Sequence, residues 1–237
     1  DDYVSENYFA SLSRALESNE ADLLMFGYCN FGGVSTEWNT GVFHEDAEIG
    51  IAKRISTAMQ QYLFSSLCSK AFKKQIIEQN SIRFANDLAI GEDFAFIFIY
   101  AMHIRSLISI GDKLYHVDVG NGNSLSRKAR PYLTEQLMKV NRRMYEAYRA
   151  TDHSPEAARY YEAALSWMTY RSVYSSCKEL LKFDYSTKRR RQEIQKICDL
   201  YRTEHLKPAG WKCRVIAWPV RMGWSRVIDW LICYKAK

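Results

Sequence analysis

The chain has 237 residues, of which 47% are apolar and 25% are charged, and this ordinary globular composition excludes disordered and fibrous proteins. Its length suggests one large domain or a domain with an appendage. Glycine and proline are scarce, at 11 and 4 residues, which favours long helices over a turn-rich β-sandwich. The net charge of +6 is concentrated at one end: residues 188–237 hold 13 Lys and Arg against 4 Asp and Glu, and residues 1–187 are slightly acidic.

The cysteines and the apolar runs indicate the cellular compartment in which the protein resides. The six cysteines show no C-x-x-C spacing, which favours free thiols in a reducing cytosol over a zinc site. The longest apolar run, residues 94–102, is far shorter than the ~20 residues of a membrane-spanning helix. We therefore predict a cytoplasmic protein. Because the chain starts at Asp1 and not at methionine, we expect its natural start to lie upstream.

Helical and extended patterns alternate through residues 1–127. Ser5 is a suitable helix cap, and Phe9, Leu12 and Leu16 then recur at helical spacing, so a helix is predicted to end near Asn19. An apolar run of strand length follows at 21–29, and the order of helix and buried strand predicts an α/β fold. The pattern further predicts a strand or hairpin around 34–38, two helical pieces within 48–80, and two strands at 107–110 and 113–117 joined by a turn at Gly111-Asp112.

From Pro131 onward the pattern is helical. Leu133, Leu137 and Val140 follow Pro131 at spacings of four and three, and Ser154-Pro155-Glu156 begins a second helix that runs toward Leu181. We therefore divide the chain into an α/β portion at 1–127 and a helical extension at 128–237.

Two acidic clusters are candidates for chemistry. Asp1 and Asp2 offer hard oxygen ligands that suit Mg²⁺ or Mn²⁺, although such pairs often only face solvent. Gly91-Glu92-Asp93 opens the apolar segment at 94–102. If that segment is a helix, the helix dipole favours an ionised Asp93, which could act as a general base. The alternative is that Glu92 and Asp93 merely cap the helix.

Four short motifs in order give the sequence a resemblance to family 2 glycosyltransferases, which have the GT-A fold. In that family a strand ends in an Asp-x-Asp metal motif, and Asp1-Asp2 followed by an aromatic residue, a helix and a buried strand matches that order. Residues 69–74 resemble the family's N-K-L-F-R-R run, and Ile82-Arg83-Phe84 precedes Gly91-Glu92-Asp93 as its "i-x-F … G-E-D" does. Residues 114–116 with 123–126 resemble its "L-Y-H … N-S-L-S" ending.

The resemblance implies an inverting sugar transfer from a nucleotide-diphosphate donor to an acceptor hydroxyl of a glycan or lipid-linked acceptor, in cell-surface polysaccharide synthesis. It implies that Asp93 is the general base, that Asp1 and Asp2 bind Mg²⁺ or Mn²⁺, that His116 faces the diphosphate, and that Glu92 supports the acceptor side or caps the helix. The roughly hundred residues that precede the metal motif in the family are missing here. We therefore expect a fragment of a longer enzyme that is inactive alone. The alternative is a non-catalytic binding or membrane-docking module with half of a transferase fold.

The C-terminal segment 211–237 combines tryptophan with Lys and Arg. Val220, Trp224, Val227 and Leu231 form one apolar stripe at helical spacing, which suits an anionic membrane surface on the inner face of the membrane, or packing against the α/β core. The basic run at 188–191 is soon diluted by acidic residues, so we predict a solvated or lipid-facing basic surface and no nucleic-acid binding.

Overall fold

The computed structural model describes residues 2–32, 36–39, 41–61, 63–120, 129–202 and 217–234. These residues form a mixed α/β structure with one six-stranded sheet. The strands are β1 (Tyr3–Val4), β2 (Leu23–Phe31), β3 (Glu37–Trp38), β4 (Phe43–Glu45), β5 (Lys70–Phe72) and β6 (Leu107–Asp118). The helices are α1 (Tyr8–Ser18), α2 (Glu48–Gln60), α3 (Lys74–Gln79), α4 (Glu92–Ala101), α5 (Leu133–Arg149), α6 (Pro155–Glu179), α7 (Thr187–Arg202) and α8 (Ser225–Tyr234).

The sheet is built on the parallel pair β2 and β6. Leu23 lies opposite Leu107 and Phe31 opposite Asp118. Short antiparallel strands extend this pair: β1 and β4 pair with β6, and β3 and β5 pair with β2. The first five residues of β2 are buried, as expected for a central strand that is covered on both faces.

Three local predictions differ from the structure. Gly111-Asp112 does not form a turn, because β6 continues through it and its pairing with β2 shifts register between Ser109 and Lys113, as at a β-bulge. Residues 48–80 contain not only two helices but also β5 between them. Helix α1 starts at Tyr8, and Ser5 does not cap it, since its hydroxyl donates to the carbonyl of Lys113 at 3.2 Å.

The main core contains residues of the sheet, of α2 and α4 in the predicted α/β portion, and of α5 and α6 in the predicted helical extension. Helix α4 lies at its centre, with Ile97, Phe98 and Tyr100 fully buried, and residues of α5 and α6 such as Val140 and Leu165 belong to the same cluster. The Tyr100 hydroxyl donates to the carbonyl of Asp22 and accepts from the backbone N–H of Lys73 at 2.8 Å. These contacts fix the far end of α4 against β2 and α3.

A second core connects α6, α7 and α8. It contains Val173, Cys198 and Tyr201 together with Val220, Ile228 and Ile232 of the C-terminal segment. In the described part of the chain, no helix is long and apolar enough to cross a membrane.

The apolar stripe predicted for the C-terminal segment does not lie on one helix. Gly223 has φ +65°, and α8 begins only at Ser225, so the stripe is not one continuous helix. Trp224 and Val227 are exposed, whereas Ile228 and Ile232 are buried. The buried face packs on α6 and α7 and not on the sheet. Other residues of the segment 211–237, namely Trp211, Lys212, Arg214, Lys235 and Lys237, lie outside the described residues.

Candidate active site

Asp93 lies in the first turn of α4, where a glycine fixes the path of the chain. Gly91 precedes the helix with φ +79°, a left-handed conformation that favours glycine. A Cβ at Gly91 would lie 2.9 Å from Cγ2 of Val140 in α5. Only glycine therefore allows the start of α4 to lie this close to α5.

Burial dominates the electrostatics of Asp93. The sequence predicts that the helix N-terminus favours the ionised carboxylate, but desolvation raises the pKa of Asp93, the neighbouring charge of Glu92 raises it further, and Lys70 opposes both. A carboxylate with a raised pKa is a stronger proton acceptor. Glu92 lies in the first turn of α4, where the helix dipole favours a negative charge, but the N-cap is Gly91 and no side chain caps the helix by a hydrogen bond.

Asp93 opens onto a pocket of about 300 Å³. The pocket lies between the α/β portion and the helical extension, so α5 and α6 form one of its walls. Its polar residues besides Asp93 and Glu92 are Ser65, Arg130, Arg171, Ser172 and Ser175, and its apolar residues include Leu133, Leu137 and Met168. A pocket lined by both polar and apolar side chains suits an organic ligand that carries hydroxyl groups.

Lys70 is a buried lysine that interacts with Asp93 and to which the sequence assigns no role. Its side chain is buried, and its Nζ donates to the carbonyls of Leu63 at 3.1 Å and Ser66 at 2.6 Å. Burial lowers the pKa of Lys70 to about 7, while Cys68 and Asp93 act in the opposite direction. Lys70 therefore holds the segment that presents Ser65 to the pocket and interacts electrostatically with Asp93.

We predict that Lys70→Met raises the pKa of Asp93, because the substitution removes the positive charge that favours the carboxylate. The measurement is a pH titration of the Asp93 side-chain carboxyl by ¹³C NMR. Lys74→Met is the matched control, since the Lys74 side chain is 85% exposed. An unchanged titration midpoint in Lys70→Met would show that Lys70 and Asp93 are not coupled.

Asp2 and His116 lie on neighbouring strands at one end of the sheet. Tyr3 of β1 pairs with His116 of β6, and the two rings stack with centroids 4.4 Å apart. His116 Nε2 is hydrogen-bonded to Ser5 Oγ at 2.8 Å. The Asp2 carboxylate accepts from the Asp118 backbone N–H at 2.8 Å and from the Tyr115 hydroxyl at 3.0 Å. Asp2 and His116 therefore lie at the same end of the sheet but have different partners: Asp2 bonds Tyr115 and Asp118, whereas His116 contacts Tyr3 and Ser5. Asp1 lies outside the described residues.

The segment at 63–70 connects this sheet edge with Asp93. The pKa of the Tyr115 hydroxyl is raised, chiefly by its interaction with Cys68, and further by burial and by Asp2. Lys70, two residues after Cys68, interacts with Asp93. The segment 63–70 therefore interacts with Asp93 on one side and with Tyr115, the partner of Asp2, on the other.

The described residues alone do not form a complete metal site. No group of three or more His, Cys, Asp or Glu side chains among them could hold a metal ion. Asp2 is an exposed carboxylate whose two oxygens each accept one hydrogen bond, which leaves lone pairs for a cation. Asp2 thus fits as one ligand of a hard cation.

Comparison with known proteins identifies the class of fold. No protein-family model and no curated protein sequence matches the chain. Among solved structures, S. aureus TarS 1–349 in complex with UDP matches with a TM-score of 0.64 at 16% identity, covering 97% of this chain and 61% of TarS 1–349. TarS 1–349 in complex with UDP-GlcNAc matches with a TM-score of 0.67 at 14% identity, covering 97% and 62%.

The chain therefore shares the fold of these TarS structures, a mixed α/β domain with a helical extension, and this confirms the predicted fold class. The chain spans about three fifths of the length of the TarS chains that it matches.

Proposed function

We propose that the protein is an inverting glycosyltransferase that moves a sugar from a nucleotide-diphosphate donor to an acceptor hydroxyl. One observation carries the proposal: a half-buried Asp93, with a raised pKa, faces a pocket of about 300 Å³ in a glycosyltransferase fold. TarS, which shares this fold, has been solved with UDP and with UDP-GlcNAc, so a UDP-sugar is the first donor to consider.

The acceptor side of the reaction is assigned to the Asp93 pocket. The acceptor hydroxyl binds there, and Asp93 accepts its proton as the hydroxyl oxygen forms a bond with the anomeric carbon. The bond from the anomeric carbon to the diphosphate oxygen breaks on the opposite face, and the nucleoside diphosphate leaves with the bonding electrons. Leu133 and Leu137 add apolar surface to the lining of this pocket.

The donor side is assigned to the sheet edge around Asp2. His116, held by Tyr3 and Ser5, would face the diphosphate. Asp1 and Asp2 would be ligands of Mg²⁺ or Mn²⁺, and such a cation offsets the charge that develops on a departing diphosphate. We place the reaction in cell-surface polysaccharide synthesis at the cytoplasmic face of the membrane, with a glycan or lipid-linked acceptor.

The experiment that tests this function is a panel of nucleotide sugars, UDP-sugars first, incubated with the full natural protein and with Mg²⁺ or Mn²⁺. The expected result is release of a nucleoside diphosphate from one donor or a few, and loss of that release with a chelator. The rival function, a non-catalytic binding module, predicts that no donor is consumed. Isothermal titration with UDP then separates the two cases further, because a binding module with no donor site shows no heat of binding.

A further inference from the structure

Helix α8 presents an aromatic face on the side opposite its buried face. At about 100° per residue, Arg226, Val227, Trp230 and Tyr234 fall within one arc, and Ile228 and Ile232 fall on the other side of the helix. Trp230 is 62% exposed and Tyr234 is 70% exposed, whereas Ile228 and Ile232 are at most 3% exposed. The rings of Trp230 and Tyr234 stack with centroids 5.6 Å apart. We call these four residues the outward face of α8.

The segment before α8, residues 217–224, adds exposed apolar side chains. Trp218 is 60% exposed, and its ring lies 4.9 Å from that of Trp224. Met222 is also exposed. The segment packs against α6 and α7 through Val220, Ile228 and Ile232. The exposed aromatic side chains take no part in that packing. Large exposed aromatic groups on a helix already docked by its other side mark an interaction surface.

The charge around this surface is positive. Arg226 belongs to the outward face, and Lys188 and Arg189 are exposed at the start of the neighbouring α7. The segment 188–237 as a whole carries 13 Lys and Arg against 4 Asp and Glu. The one acidic side chain within α8, Asp229, is buried and paired with Arg190 at 2.6 Å and Arg191 at 3.0 Å, so it adds no negative charge to the outward face.

We propose that the outward face of α8 and the segment 217–224 before it dock onto the surface of an anionic lipid bilayer. Tryptophan and tyrosine rings lie favourably at the depth of lipid headgroups, and arginine and lysine beside them pair with anionic headgroups. The helix lies on the membrane and does not enter its apolar centre, because its other face is part of the second core. The ion pairs of Asp229 with Arg190 and Arg191 attach α8 to α7, so the surface is present before it meets lipid.

This inference is independent of the proposed transferase activity, because lipid binding needs neither donor nor acceptor. The experiment is flotation of the chain with vesicles of phosphatidylcholine that contain phosphatidylglycerol, compared with vesicles of pure phosphatidylcholine. We expect binding to the anionic vesicles, which falls as salt screens the charge. Trp230→Ser and Arg226→Glu are each expected to weaken that binding by roughly tenfold.

Matched control variants distinguish a specific surface from general adhesion. Phe9→Ser removes an apolar side chain that is 78% exposed on α1, and Lys74→Glu reverses an exposed charge on α3. Both should bind vesicles as the native chain does. The proposal is overturned if the native chain fails to float with anionic vesicles, if the controls weaken binding as much as Trp230→Ser does, or if sedimentation shows a dimer that Trp230→Ser dissociates.

Discussion

Replacement of Asp93 by asparagine is expected to lower kcat/KM by roughly 10²- to 10⁴-fold, the usual contribution of a general base. The amide has nearly the shape of the carboxylate but cannot accept the hydroxyl proton. Because burial raises the pKa of Asp93, its ionised form is less stable in the folded chain than in the unfolded chain at neutral pH. The neutral asparagine should therefore leave the free energy of unfolding unchanged or slightly higher.

The measurement is a transfer assay on the full natural protein together with a urea unfolding curve. Glu92→Gln is the matched control, since Glu92 is the adjacent carboxylate in the same helical turn, and it should retain far more activity. The pH profile provides a second readout: the native enzyme should lose kcat/KM as the pH falls through a pKa above the ordinary aspartate value of about 3.9. Near-normal turnover of Asp93→Asn would refute its role as the base.

Replacement of Asp229 by alanine is expected to destabilise the packing of α7 and α8 by about 2–3 kcal/mol. The Asp229 carboxylate is buried and binds Arg190 and Arg191, whose side chains are 18% and 42% exposed. The arginines partly regain water when the carboxylate is lost, so the effect is smaller than for a fully buried pair. Urea unfolding measures it, and Asp199→Ala, which removes an exposed pair with Arg202, should cost less than about 1 kcal/mol.

The same ion pairs make this stabilisation dependent on pH. The two arginines lower the pKa of Asp229 in the folded chain. A carboxyl whose pKa is lower in the folded chain than in the unfolded chain stabilises the fold fully at a pH above its unfolded-state pKa. That stabilisation is lost as the pH falls from the unfolded-state pKa toward the folded-state pKa. The difference in stability between the native chain and Asp229→Ala should therefore shrink in acid. A difference that stays constant down to the lowest pH would show that the ion pairs do not stabilise this interface.

The long elements were predictable because a single local signal marks each of them. Helix α6 begins with Ser154, whose hydroxyl accepts from the backbone N–H of Ala157, and Pro155 occupies its first turn, so its start can be read from the sequence. Strand β6 was divided wrongly because Gly111-Asp112 has turn composition. Strand β6 continues through Gly111-Asp112 because β1, β2 and β4 pair with it before and after these residues. These pairings join residues that are distant in sequence, so the local pattern does not indicate them.

The site was predictable only where its residues are adjacent in sequence. Gly91-Glu92-Asp93 can be recognised as one motif, but Ser65, Arg130 and Arg171 reach the same pocket from three separate parts of the chain. No spacing in the sequence indicates that they meet. The role of Lys70 could not be predicted either. It depends on hydrogen bonds from its Nζ to the carbonyls of Leu63 and Ser66, which only the folded segment brings within reach.

The anomeric configuration of the product tests the central claim most directly. The donor identified by the nucleotide-sugar panel is mixed with the full natural protein and its acceptor, and ¹H NMR follows the anomeric signals during the first turnovers. A single displacement with Asp93 as the base predicts inversion, so an α-linked donor gives a β-linked product. A product that retains the configuration of the donor would contradict this mechanism.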